Sequence, residues 1–226
     1  MILRFLRVDL VTSLAGSGLG LWFVLGALDG ARGPGASFAG CLIGLVVAAV
    51  VGPFLFDREA GERGFAPARR AAQRSALLAA SAALICGLAA LLRDGPLGAA
   101  LVCGLFCGWF AFSLAALADL AGGDLWRPAF ALLGLALLAT LFYWDDAFLL
   151  RADDRKASAA LAFALNPAAA VSVTLDFDWI HAKALYTNNQ TAESMVNVPR
   201  SGIGRYALLL AAVTVPCVGL GGWRRR

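Results

Sequence analysis

The stretch Phe56–Ser75, FDREAGERGFAPARRAAQRS, sets Arg58, Arg63, Arg69, Arg70 and Arg74 beside Asp57, Glu59 and Glu62, with a long apolar run on either side. The flanking runs fix the fold class. They are roughly 18–25 residues long, the length an α-helix needs to cross a hydrocarbon core of about 30 Å, and not the ten-residue alternating segments of an outer-membrane barrel. The whole chain of 226 residues is 60% hydrophobic and 15% charged, with a mean hydropathy of +0.75. A soluble domain is typically about 45–50% apolar. The sequence therefore predicts an all-α, polytopic membrane bundle forming a single domain over residues 1–226.

Six spans follow from the apolar runs: Leu10–Leu28, Ser37–Phe56, Ser75–Leu92, Leu97–Leu120, Pro128–Trp144 and Tyr206–Trp223. The opening Met1–Asp9, with Arg4 and Arg7, superficially matches a signal peptide, but the run behind it is long and lacks a clear cleavage motif. It is read as the first span. Between the spans, 57–74 is expected to be a hydrophilic loop and 145–205 a long segment on the other side.

Basic residues in short loops favour the cytoplasm. Arg4, Arg7, the five arginines of the opening block, Arg127 and Arg224–Arg226 fall on one side, while the short loops opposite hold only Arg32 and Arg93. Both termini and 57–74 are thus expected in the cytoplasm and 145–205 outside. The net charge of +4 and the pI of 9.0 express this topology and do not point to nucleic acid. Ala, Gly and Arg are heavily used and only two lysines occur, a usage that matches a GC-rich bacterial genome and so an inner membrane.

Within the spans, Gly16 and Gly20, Gly40 and Gly44, and Gly104 and Gly108 have the four-residue spacing that lets helix backbones approach closely in lipid. Packing inside the bundle is the plainer reading than a dimer face. Pro53 and Pro216 each remove a backbone donor and are candidate kinks. The five cysteines, Cys41, Cys86, Cys103, Cys107 and Cys217, lie in apolar runs, where they act as small hydrophobes, and imply no disulfide framework.

The outer segment is more informative. Lys156–Val173, KASAALAFALNPAAAVSV, is apolar but broken at Asn166-Pro167, because proline disfavours helix in the residue before it. Two short helices are expected there, half sunk in the membrane surface. Asp176–Tyr186 then offers Phe177, Trp179 and Tyr186 for the headgroup level. The polar 187–203 reads as an exposed loop.

Catalytic chemistry finds no support. There is no Gly-x-x-x-x-Gly-Lys-Ser/Thr loop, so the chain binds no ATP by that route, and the single histidine, His181, has no serine elbow to serve. Asp176, Asp178 and His181 do not share a helical face, and an interfacial polar cluster explains them better than a metal. Cys103 and Cys107 share a face that suits a soft metal, but two thiols without a third ligand are more often packing. No catalytic, metal or cofactor site is assigned. Charged side chains inside the spans would mark an ion path. Only Asp119, near one end of the fourth, is present, which disfavours a proton-coupled antiporter or ion pump.

The order of these parts resembles the permease subunit of an ABC-2-type transporter: six spans, a charged segment between the second and third, and broken outer helices between the fifth and sixth. In that family the charged segment carries an Arg-Glu-x-x-Gly pattern followed by a proline. Here Arg58-Glu59-Ala60-Gly61 with Pro67 is a near match, one residue shorter before the glycine, and Leu165-Asn166-Pro167 stands where the family often has the same triplet. The resemblance implies a chain that is not itself an enzyme, pairs with a second permease copy or a paralogue, and is powered by separate ATPase subunits. It implies an ATPase contact through Arg58, Glu59, Gly61, Arg69 and Arg70, with Arg74 beside them, and an outer helix break at Asn166 and Pro167. Membrane lipid is the other partner of the arginines. A competing reading is an accessory or anchoring subunit of a larger envelope complex, docked through 145–205.

Overall fold

In the computed structural model, residues 33–56, 64–122, 125–144, 164–177 and 202–224 are described. Among them the chain is entirely helical. The elements are α1 (Pro34–Val51), a 3-10 turn (Gly52–Phe54), α2 (Ala66–Leu92), α3 (Leu97–Ala121), α4 (Arg127–Trp144), α5 (Pro167–Thr174) and α6 (Ile203–Trp223). Four segments are long and apolar enough to cross a membrane: α1 with its 3-10 turn, α2, α3 and α6. At about 1.5 Å per residue, the 21 residues of Pro34–Phe54 cover about 30 Å. The protein is a membrane-embedded helical bundle. The expected first span, Leu10–Leu28, lies outside the described residues. The expected fifth is α4, whose described apolar part, Arg127–Leu138, is shorter than a span.

The long helices α1, α2, α3, α4 and α6 run alternately up and down. The Gly33 amide donates to the Arg93 carbonyl at 2.7 Å, so the start of α1 meets the turn between α2 and α3. That turn holds Asp94 in the left-handed region at φ 56°, and Gly95 donates back to the Ala90 carbonyl at 2.7 Å, closing α2. At the other end, the finish of α1 meets the starts of α2 and α4, and Gly52 and Phe56 lie on Ala111 and Phe112 of α3.

The centre is α3, which packs on α1, α2, α4, α5 and α6. Its closest neighbour is α2, and small residues explain the proximity. A Cβ on Gly104 would fall on the Ala83 backbone, and one on Gly108 on Ala79 and the Ser75 carbonyl. This Gly-x-x-x-Gly face is therefore spent on packing within the bundle, as expected. The Leu84, Leu91 and Leu92 side chains of α2 point outward, each about 60% exposed, as a lipid-facing surface requires.

Two expectations are corrected. The hydrophilic loop 57–74 ends early: α2 begins at Ala66, so Arg69, Arg70 and Arg74 ride on its first turns. Pro67 in the first turn presets φ for a helix start, and Ala66, Ala68, Ala71 and Ala72 are the strongest helix formers. Loss of apolarity marks where a helix leaves lipid, not where it ends. Pro53, expected as a kink, instead ends the α-helix at Val51 and opens the 3-10 turn. Pro216 does lie within a helix, α6.

Candidate functional site

Arginines collect at one end of the bundle. The last carbonyls of a helix have no intrahelical donor and carry partial negative charge. After α1 and its 3-10 turn, those of Leu55 and Phe56 are met by guanidinium groups from two other helices. Arg74 on α2 donates from Nη1 to Leu55 at 3.1 Å, and Arg127 at the start of α4 donates from Nη2 to Phe56. Arg224, past the end of α6, reaches the Leu120 carbonyl of α3 at 3.5 Å. Phe65, the residue before α2, lies over Gly222 of α6 so closely that a Cβ there would enter its ring.

Of the residues expected to contact an ATPase, Arg69 and Arg70 lie on α2 at this end. Arg69 is exposed and Arg70 half-buried. Arg58, Glu59 and Gly61 fall outside the described residues. Trp126 and Trp223 flank the cluster, 49% and 70% exposed. Arginine with tryptophan is the composition of a membrane–water boundary.

The Asn166-Pro167 break is the second constructed feature. Asn166 is extended and caps α5, its Oδ1 accepting from the Ala168 amide at 2.8 Å and the Ala169 amide at 3.3 Å. Its Nδ2 donates to the Leu137 carbonyl of α4 at 2.6 Å. Leu137 lies ten residues beyond Arg127, about 15 Å along the helix axis, so this cap sits deep inside the bundle. The Tyr206 hydroxyl of α6 donates to the Leu165 carbonyl at 2.8 Å, and its ring meets Phe106 of α3 edge-on at 5.6 Å.

From this depth α5 rises to the end opposite the arginines. There the Phe177 amide donates to the Ser172 carbonyl at 2.9 Å and Asp176 takes φ 53°, a Schellman stop. Phe177 packs on Phe38 of α1 at 5.0 Å, and the Ile203 amide at the start of α6 donates to the Thr174 hydroxyl at 3.0 Å. The break is thus where the sequence puts it, but α5 is not half sunk at a surface. Pro167 to Ser172 are all buried among α1, α3, α4 and α6. A helix apolar on every side buries every side, and the alanines Ala168–Ala170 keep it thin enough to fit.

Cysteines form a third cluster. The Cys41 thiol of α1 lies 3.2 Å from that of Cys86 on α2, and the Cys107 thiol of α3 points to the Cys41 and Cys103 carbonyls at 3.8 and 3.4 Å. Cys103 and Cys107 therefore do share a face, joined by two thiols from other helices. No three His, Cys, Asp or Glu side chains among the described residues are arranged to hold a metal ion. Asp176 serves as the α5 stop, and Asp178 and His181 lie outside the described residues. Two buried interior hydroxyls satisfy one another: Thr214 of α6 donates to Ser113 of α3 at 2.9 Å, and Ser113 donates to the Trp109 carbonyl at 2.9 Å.

Sequence reading overlooked Arg127, Phe65 and Tyr206 as fastening points. Arg127 was legible only as a cytoplasmic charge at a span boundary, and Tyr206 only as a span boundary. Their partners are backbone carbonyls, which carry no sequence signal. Comparison with protein-family models, curated proteins and solved structures returns no match for this chain.

Proposed function

We propose that the chain is the permease subunit of an ATP-driven transporter of the ABC-2 type, embedded in an inner membrane and forming a translocation path with a second copy or a paralogue. The observation that carries this reading is α5: a short helix between the last two spans whose capped start lies deep in the bundle and whose end returns to the rim. Irregular backbone at membrane depth is tolerated where protein buries it or where it lines a path, and discontinuous helices near the midplane are a device of transporters. The arginine-rich end supports the second half of the reading. Its excess of basic residues favours the cytoplasm, so both termini lie there and 145–205 lies outside. Arg58, Glu59, Gly61, Arg69 and Arg70 then face separate ATPase subunits, which hydrolyse the ATP. Anionic lipid is the other partner of this end.

A second reading has its own observation. The Ser113–Thr214 pair is bonded within the protein, and it joins helices instead of lining a polar path. That suits an accessory subunit anchored in the membrane and docked through 145–205. A gene for an ATPase with a nucleotide-binding loop beside this one favours the permease, and neighbours from an envelope complex favour the anchor. The direct test is charge reversal. In vesicles holding the chain and the neighbouring ATPase, Glu59→Arg combined with Arg69→Glu and Arg70→Glu abolishes ATPase association and ATP-driven transport while insertion persists. Association and transport that survive the reversal refute the permease reading.

A further inference from the structure

The two boundaries of segment 57–63 are fastened to different helices. On the near side, Leu55 and Phe56 are held by Arg74 of α2 and Arg127 of α4. On the far side, Phe65 is seated on Gly222 of α6. We propose that Arg74, Arg127 and the Phe65–Gly222 contact are positioning elements that link α1, α2, α4 and α6 at the arginine-rich end, so that a protein docking there displaces four helices as one unit.

The chemistry favours such a linkage. A guanidinium presents up to five donors in a fixed planar fork, so its hold on a helix-end carbonyl is directional as well as charged. Outside this end, α6 depends mainly on α3 and α5, and α4 on α1, α3 and α5. The Phe65 seat therefore gives α2 a contact with α6 at the arginine-rich end. Gly222 makes the seat possible because any side chain would occupy the space of the ring. Arg74 was expected to touch an ATPase, but its guanidinium reaches the Leu55 carbonyl instead; Arg127, Phe65 and Gly222 are not among the residues expected there and act behind that contact. The inference rests on the reading that a partner docks at this end.

Amide hydrogen exchange on the full chain in phospholipid vesicles tests the linkage without any partner. In Arg127→Gln, exchange rises about fivefold, the scale of one lost hydrogen bond, at 130–133, at 54–56 and at 69–72. Arg127→Lys, which keeps a charged donor, restores most of the protection. Phe65→Ala raises exchange at 69–72 and at 219–223 together. A rise confined to the substituted helix in both variants overturns the proposal. With the ATPase present, Arg127→Gln keeps ATPase association and loses ATP-driven transport, in contrast to the reversal at Arg69 and Arg70. If the unaltered chain binds no ATPase, the permease reading fails, and the exchange pattern still decides the linkage.

Discussion

Segment 66–74, the start of α2, and segment 164–177, around α5, both tie neighbouring helices together through backbone carbonyls, but with opposite chemistry. At the start of α2 the donors are charged: Arg74 reaches Leu55, with Arg127 on the adjacent carbonyl of Phe56. Around α5 they are neutral: Asn166 reaches Leu137, and Tyr206 reaches Leu165. The difference follows from depth. A charge taken away from water costs far more than an amide or hydroxyl, so guanidinium serves at the rim and carboxamide in the interior. The Leu55, Phe56 and Leu165 carbonyls are freed by a helix end or break, whereas Leu137 lies within α4.

This contrast predicts a graded response to removing the donors, measured as unfolding free energy in mixed detergent micelles. Asn166→Leu has the largest effect, about 3 kcal/mol, because it deletes the α5 cap and leaves the Ala168 and Ala169 amides without their side-chain acceptor in an apolar setting. Asn166→Asp keeps the acceptor for Ala168 and Ala169 but removes the donor and buries a charge, so it also destabilises. A loss under about 0.5 kcal/mol for the leucine variant would mean that the interior tie is not structural. Tyr206→Phe comes next, at about 0.6 kcal/mol, the mean scale of an interhelical hydrogen bond in lipid, because its ring keeps the contact with Phe106. The smallest change is Arg69→Gln, within about 0.5 kcal/mol, since this side chain is exposed. A larger loss there would assign Arg69 to the internal ties and not to an outside contact.

Helical class, the bounds of α3 and α6 to within a few residues, and the break at Asn166-Pro167 were all legible in the sequence. Each depends on a local property: run length, a proline, or an Asn before it. Three things were not legible. Ala66 to Arg74 reads as hydrophilic loop because hydropathy reports contact with lipid, whereas alanine propensity and Pro67 decide the helix. Burial of α5 depends on four other helices leaving a slot for Ala168–Ala170. The convergence of Cys41, Cys86 and Cys107 needs the crossing of α1, α2 and α3, set partly by how closely Gly104 and Gly108 let α3 approach α2. Such contacts belong to packing between distant segments, and no short motif encodes them.

The central claim is that the arginine-rich end receives an ATP-hydrolysing partner while the α5 end does not. Isolating the tagged chain from its native membrane in mild detergent tests it most directly. The account predicts a co-purifying protein with a nucleotide-binding loop, retained in Tyr206→Phe and lost when Arg69 and Arg70 are both changed to Glu. Isolation without any such ATPase, or with one that stays bound after the reversal, would contradict it.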